Sequence, residues 1–219
     1  MAATLTPRME PWHVIVGLGN PGAEYAKTRH NAGFMLAELL AERWRVGWVL
    51  EKKFQARVAR AEFAGHRALL CEPQTYMNAS GEAVGALIQF YQLPLKQLLV
   101  AVDDADLPLG EIRLRPAGGP GGHHGLESIE AHLGSRDYAR LRVGIGRKDG
   151  LRQITGHVLG KLNAAEFAVM EKVLARAADQ LECWLAHGLQ KAMSQFNGVL
   201  EDSTNEGTKQ LIDTKVFSS

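Results

Sequence analysis

The sequence is poor in cysteine, almost neutral and free of long apolar runs, and each shortage removes a class of protein. Cys71 and Cys183 are the only cysteines in 219 residues. Neither has metal-ligand spacing, and both are expected to be buried free thiols in a reducing compartment. No stretch approaches the ~18 apolar residues of a membrane span. The opening residues, MAATLTPRMEPW, hold no hydrophobic signal core and are interrupted by Pro7 and Pro11. That pattern points to a cytoplasmic protein without a membrane segment. A net charge of +1 excludes a chain that grips nucleic acid with its whole surface, though not a local basic patch. There is no internal repeat and no Pro/Ser linker.

What remains is an ordinary globular composition, 46% apolar and 22% charged, long enough to bury a sizeable core. We expect one domain over residues 12–198, a flexible N-terminus at 1–11 and a mobile polar tail at 199–219. Val14–Leu18 and Leu98–Asp104 are apolar runs with the composition of strands buried on both faces. Phe54–Phe63 and Arg67–Cys71 suggest strands meeting at Gly65-His66. Glu111–Arg115 and Leu141–Gly146 complete the set. Asn31 is placed to cap a helix running to about Arg45, and Ser80 opens another that stops near Pro94. Asn163 and Glu166 form a capping box ahead of a stripe of Phe167, Met170, Leu174, Leu181, Trp184 and Leu185. Strands alternating with helices predict an α/β single-domain sandwich, its mostly parallel or mixed central sheet flanked by helices.

The first strand runs into Gly17-Leu18-Gly19-Asn20-Pro21-Gly22, the three-glycine spacing of a dinucleotide fingerprint. Two features oppose that reading. The third glycine should lie inside a helix, yet Pro21 disfavours helical geometry at the residue before it. The acidic residue some twenty positions on, Glu38, falls within an amphipathic helical run, not at the tip of a second strand.

The same loop holds Asn20, Tyr25 and His30, and it leaves the carboxyl end of a strand, where ligand crevices form in open α/β sheets. His30 precedes a helix N-terminus, whose partial charge disfavours an imidazolium and so favours the neutral form a general base needs. Asp103 ends the other long apolar strand. If the two strands pair, its carboxylate meets the imidazole, fixing the tautomer and stabilising the cation that forms in a transition state. The alternatives are a surface histidine and, for Asp103, Asp104 and Asp106, a metal site, although no nearby histidine or glutamate has ligand spacing. Between Arg113 and Lys148, Arg113, Arg115, Arg136, Arg140, Arg142, Arg147 and Lys148 outnumber the acids. That run is either a solvated face or a seat for an anion. The glycine-rich stretch PAGGPGGHHGL is either a plain turn or a backbone nest opening onto a helix N-terminus.

Four blocks in order, GLGNPGAEYAKTRHNAGF, PQTYMNASGEAV, DDADLPLGEIRLRPAGGPGGHHGL and RLRVGIGR, resemble bacterial peptidyl-tRNA hydrolases from about Trp12 to Phe196. The resemblance implies a monomeric enzyme, with no metal or organic cofactor, that cleaves the ester between a peptide and the 3′ ribose of tRNA and so recycles tRNA from abandoned translation. By position it makes His30 the catalytic base, Asp103 its supporting carboxylate and Asn20 the residue that senses a blocked amino end. It makes Tyr25, Tyr76 and Asn78 substrate contacts, and Arg115 and Arg142 holders of the tRNA 5′-phosphate. Where the family usually reads Gly-His-Asn-Gly, this chain has Gly122-His123-His124-Gly125, so the expected binding asparagine is His124. A non-hydrolytic RNA-binding protein on the same scaffold is the alternative.

Overall fold

Val14 and Val16 face one side of the first strand, β1 (His13–Gly17), and Ile15 the other, so both sides must be covered. The computed structural model describes residues 12–146 and 154–200 and shows how. After β1 come α1 (Ala32–Arg43), β2 (Val49–Glu51), β3 (Ala56–Phe63), β4 (His66–Pro73) and α2 (Ser80–Tyr91). Next are β5 (Leu98–Asp104), β6 (Glu111–Arg115), α3 (His124–Leu133) and β7 (Ala139–Gly144). The chain then forms α4 (Ile154–Val158), α5 (Ala164–His187), α6 (Leu189–Phe196) and β8 (Gly198–Val199). The strands form one mixed sheet in the order β2-β3-β4-β1-β5-β7-β6-β8. Its centre, β4-β1-β5-β7, is parallel, and both wings are antiparallel.

Period-two alternation divides the core. Ile15, Leu99, Ala101, Leu141 and Val143 pack under α1 and α5, against Leu36, Leu40, Met170, Leu174, Leu181 and Trp184. On the opposite face Val14, Val16, Leu98, Val100 and Val102 meet Val84 and Leu87 of α2 and Leu126 and Ile129 of α3. The α1 stripe approaches the sheet closely because Gly17 and Gly33 lack side chains. A Cβ on Gly33 would lie 2.3 Å from Leu18 N and 2.4 Å from Ala101 O, and one on Gly17 only 2.2 Å from Gly33 O.

Several boundaries differ from the sequence reading. Strand β7 begins two residues earlier, with the buried Ala139 and Arg140, and ends at Gly144. The β3–β4 turn is Ala64-Gly65, both at positive φ (51° and 80°), as a two-residue hairpin turn requires; His66 is already strand. Asn163 and Glu166 do close a capping box. Asn31 stands at the start of α1 but makes no side-chain cap. Cys71 is buried, whereas Cys183 is only half-buried. The described chain continues past 198: β8 pairs with β6, and Leu200 N donates to Gly110 O. The expected N-terminal arm at 1–11 and the rest of the tail, from 201, lie outside the described residues, as do Arg147 and Lys148. No described helix is long and apolar enough to cross a membrane.

Candidate active site

Strands β1 and β5 are parallel neighbours, with Gly17 opposite Ala101. Their carboxyl ends therefore deliver the Asn20–His30 loop and Asp103 to one place. Beyond β1 the chain makes a 3₁₀ turn, Arg29–Asn31, and each residue of it has a separate task. Arg29 is buried and forks onto Glu166 at 2.7 and 2.6 Å while donating to Lys161 O, which ties the turn to the start of α5. Asn31 clamps the loop instead of capping the helix: its Oδ1 accepts from Asn20 N and its Nδ2 donates to Asn20 O, both at 3.0 Å. Between these two anchors, His30 is held with Nδ1 2.8 Å from Asp103 Oδ1.

A second histidine reaches the same oxygen. His123 Nε2 lies 3.1 Å from Asp103 Oδ1, with the two rings 5.1 Å apart. His123 is also the N-cap of α3, where its Nδ1 accepts from Leu126 N at 3.4 Å. An acceptor Nδ1 puts the ring proton on Nε2, so His123 donates to Asp103. Burial alone would push the Asp103 carboxyl up, but hydrogen bonds from His123 and His30 prevail and hold it well below the usual carboxylate range. An ionised carboxylate accepts a hydrogen bond from His30 Nδ1–H and leaves Nε2 as the free basic nitrogen. His123 was not singled out from the sequence, although it adjoins His124. The available signal was its position just before the helix, where an N-cap side chain accepts a backbone N–H of the first turn.

His30, Asp103 and His123 offer ligand atoms within 4.8 Å of one another, a donor set of metal-binding type. Sequence spacing could not show this, because the three residues come from separate elements: a 3₁₀ turn, the end of β5 and the N-cap of α3. As arranged, protons satisfy them: both imidazoles turn an N–H to the one carboxylate oxygen. Asp104 is engaged elsewhere, accepting from Arg142 Nη1 at 3.0 Å and from Asp106 N at 2.8 Å.

Asn20 lines the same cavity, of about 390 Å³, with His30, Asp103 and His123. Met77 N donates to Asn20 Oδ1 at 2.8 Å. Its amide acceptor thus has a structural partner, and Nδ2 is the group left for a ligand. Asn78 and the 65%-exposed Tyr76 stand at the rim. Tyr25 belongs to the loop, where its carbonyl accepts from Thr28 N and Oγ1, and it does not line this cavity. His124 is exposed on the first turn of α3, with Nδ1 2.9 Å from Glu127 Oε2, a partner that the nest reading of this loop left out. Arg142 lines the cavity but is engaged: besides Asp104 it donates to Gly119 O and Pro120 O. Arg140, wholly buried, holds Gly118 O and Gly119 O. The glycine-rich loop is thus tethered by its carbonyls. Arg115 is exposed on β6, outside the cavity.

The sequence model of the family described as Peptidyl-tRNA hydrolase matches residues 14–206. The chain belongs to the peptidyl-tRNA hydrolase family. It is 48% identical over 194 residues to the peptidyl-tRNA hydrolase of Synechococcus sp. (strain JA-3-3Ab), covering 89% of this chain and 86% of that one. To the peptidyl-tRNA hydrolase of Brevibacillus brevis it is 42% identical, covering 85% and 98%. The crystal structure of peptidyl-tRNA hydrolase from Acinetobacter baumannii superimposes with a TM-score of 0.81 at 40% identity, covering 85% and 94%. The family match spans His30, Asp103 and His123, so the cavity lies within the shared segment.

Proposed function

We propose that the chain hydrolyses the ester joining a peptide to the 3′ ribose of tRNA, with His30 as general base. Nε2 of His30 removes a proton from a water that attacks the ester carbonyl. Asp103 accepts the Nδ1–H hydrogen bond throughout and stabilises the imidazolium that results. Asn20 Nδ2 donates to the carbonyl oxygen as it becomes an oxyanion, a contribution that strengthens in the transition state. The imidazolium then returns its proton to the departing ribose 3′ oxygen, so the proton count closes. His123 keeps Asp103 ionised and acts as a positioning residue. Tyr76, Asn78 and His124 contact the acceptor end from the rim, Tyr25 supports the loop, and Arg115 and Arg142 face phosphate. The reading extends to a monomer acting in the cytoplasm, where translation leaves such tRNAs, and it calls for no cofactor.

The observation that carries it is the 2.8 Å pair between His30 Nδ1 and the buried Asp103, set beside Asn20 in one cavity. The test is release of the blocked amino acid from an N-acetylaminoacyl-tRNA, with the unacetylated aminoacyl-tRNA as control. Catalytic release of the first, much faster than of the second, is expected. Tight tRNA binding without release would favour the RNA-binding alternative.

A further inference from the structure

Three side chains from separate parts of the chain bring a ligand atom to one point. His30 Nδ1, Asp103 Oδ1 and His123 Nε2 lie within 4.8 Å of one another, the carboxylate oxygen 2.8 Å from the first nitrogen and 3.1 Å from the second. The fold holds each of them from behind. His30 rides on the 3₁₀ turn fixed by Arg29 and Asn31, Asp103 belongs to the buried β5, and His123 caps α3. All three line the cavity, which gives an entry path although no side chain among them is more than 12% exposed. Two imidazoles and one carboxylate, with a side open to the cavity, are the ligand set of an open zinc site.

The three groups are close to the form that a metal ligand needs. Asp103 is ionised, because its two hydrogen bonds outweigh its burial. A neutral imidazole has one proton and one lone pair, and binding requires only that the two exchange places on the ring. In His30 the proton moves from Nδ1 to Nε2. In His123 it moves from Nε2 to Nδ1, and the one bond given up is the long contact with Leu126 N, at 3.4 Å. No proton leaves the protein. Zinc lies about 2.0–2.2 Å from such nitrogens and oxygens, so tetrahedral ligand atoms stand roughly 3.3 Å apart. The observed 2.8 and 3.1 Å therefore need only open slightly. A hard ion such as Mg²⁺, which prefers oxygen alone, has no comparable claim on two imidazoles.

We propose that His30, Asp103 and His123 form an inhibitory site for Zn²⁺, bound on the Nδ1 side of His30. The ion replaces the two protons that now bridge the imidazoles to the carboxylate. It thereby puts the His30 proton on Nε2, the nitrogen that has to receive a proton from water, and the base is lost. Zinc here restrains the reaction and is no cofactor of it. Binding stands on the ligand geometry alone, whereas inhibition rests on the hydrolase reading above.

The test follows metal and turnover separately. Zn²⁺ alone, its free concentration set by a chelator buffer, is titrated against the protein, and Co²⁺ replaces it for visible spectra. The wild-type protein should bind Zn²⁺ and give Co²⁺ the intense bands of a four- or five-coordinate ion. His123→Gln keeps an N–H for Asp103 but has no imidazole, so it separates loss of a ligand from loss of the fold. It should bind Zn²⁺ about 10–100-fold more weakly, since even a hydrogen bond that supports a metal ligand is worth that much. Hydrolysis of N-acetylaminoacyl-tRNA should fall in step with zinc occupancy, recover with EDTA and ignore Mg²⁺ at the same concentration. Relative to its own metal-free rate, His123→Gln should need correspondingly more zinc for the same loss. No binding by the wild-type protein, or equal affinity in the two proteins, would overturn the site. A wild-type rate that bound zinc leaves unchanged or raises would overturn the inhibition. Failure to cleave the substrate in metal-free buffer would instead strike at the hydrolase reading, and the inhibition would fall with it, while the titration still decides the site.

Discussion

At the residue scale, the carboxylate of Asp103 has the most consequence. One oxygen takes an N–H from His30 and another from His123. A carboxyl held low contributes stability above the unfolded value of ~3.9, and this is lost only as pH falls through the lower folded value. His123→Leu removes one of the two hydrogen bonds that lower it, so the acid-side loss of both stability and activity should move to higher pH. His123→Gln, which keeps one N–H donor, should move it less. Melting and rate profiles between pH 3 and 7 that superimpose on wild type would show that His123 does not tune Asp103. Glu72 presents the opposite sign. Burial, helped by the charge of Glu38 and opposed by Arg57, pushes its carboxyl up to about 8. The folded protein keeps this proton longer than the unfolded chain does (pKa ~4.3), so stability falls as pH rises from there to about 8. Glu72→Gln should flatten that fall in melting temperature between pH 5 and 8, and an unchanged slope would contradict the burial account. His30, Asp103 and Asn20 were legible as residues because loop and strand-end positions announce themselves. His123 and Glu72 were not, since their roles depend on partners distant in sequence.

At the scale of elements, the sequence was most readable where period and punctuation agree. Strand β5 runs Leu98–Asp104 and β6 runs Glu111–Arg115, both as patterned, and the stripe of α5 packs as its spacing requires. Misreadings arose where tertiary contacts override local propensity. Asn31 has the chemistry of a helix cap, yet both ends of its amide serve the Asn20 backbone. Strand β7 starts early because Arg140 is drawn inward by the carbonyls of a distant loop. The three-glycine motif is likewise tertiary in purpose: Gly17 lets α1 touch the sheet, while Gly22 sits in the loop at φ 119°. Gly33→Ala should therefore be severe. A methyl 2.4 Å from Ala101 O forces α1 off the sheet, and overpacking of this kind costs ~1–3 kcal/mol. Chemical denaturation should report that loss, with the 3₁₀ turn carrying His30 displaced and turnover reduced more than tRNA affinity. Wild-type stability in this variant would mean that helix and strand are not in the contact described.

For the whole molecule, a near-neutral net charge conceals an uneven distribution. Cations collect on β6 and β7, carboxylates collect over β1 and β4, and the cavity that holds His30 lies between them. Arg142 and Arg140 are occupied in tethering the glycine-rich loop, which leaves the exposed Arg115 as the freer cation for phosphate. Arg115→Ala should lower the slope of log affinity against log salt for tRNA by about one. An unchanged slope would place the RNA elsewhere. The central claim is that His30 supplies chemistry, not affinity. The most direct test is single-turnover hydrolysis of N-acetylaminoacyl-tRNA by His30→Ala, with tRNA affinity measured on the same preparation. The account predicts a rate lower by ~10²–10⁴, the range of general-base assistance, at an affinity close to wild type. A variant that still turns over at near the wild-type rate, or one that loses tRNA binding in proportion to rate, would contradict it.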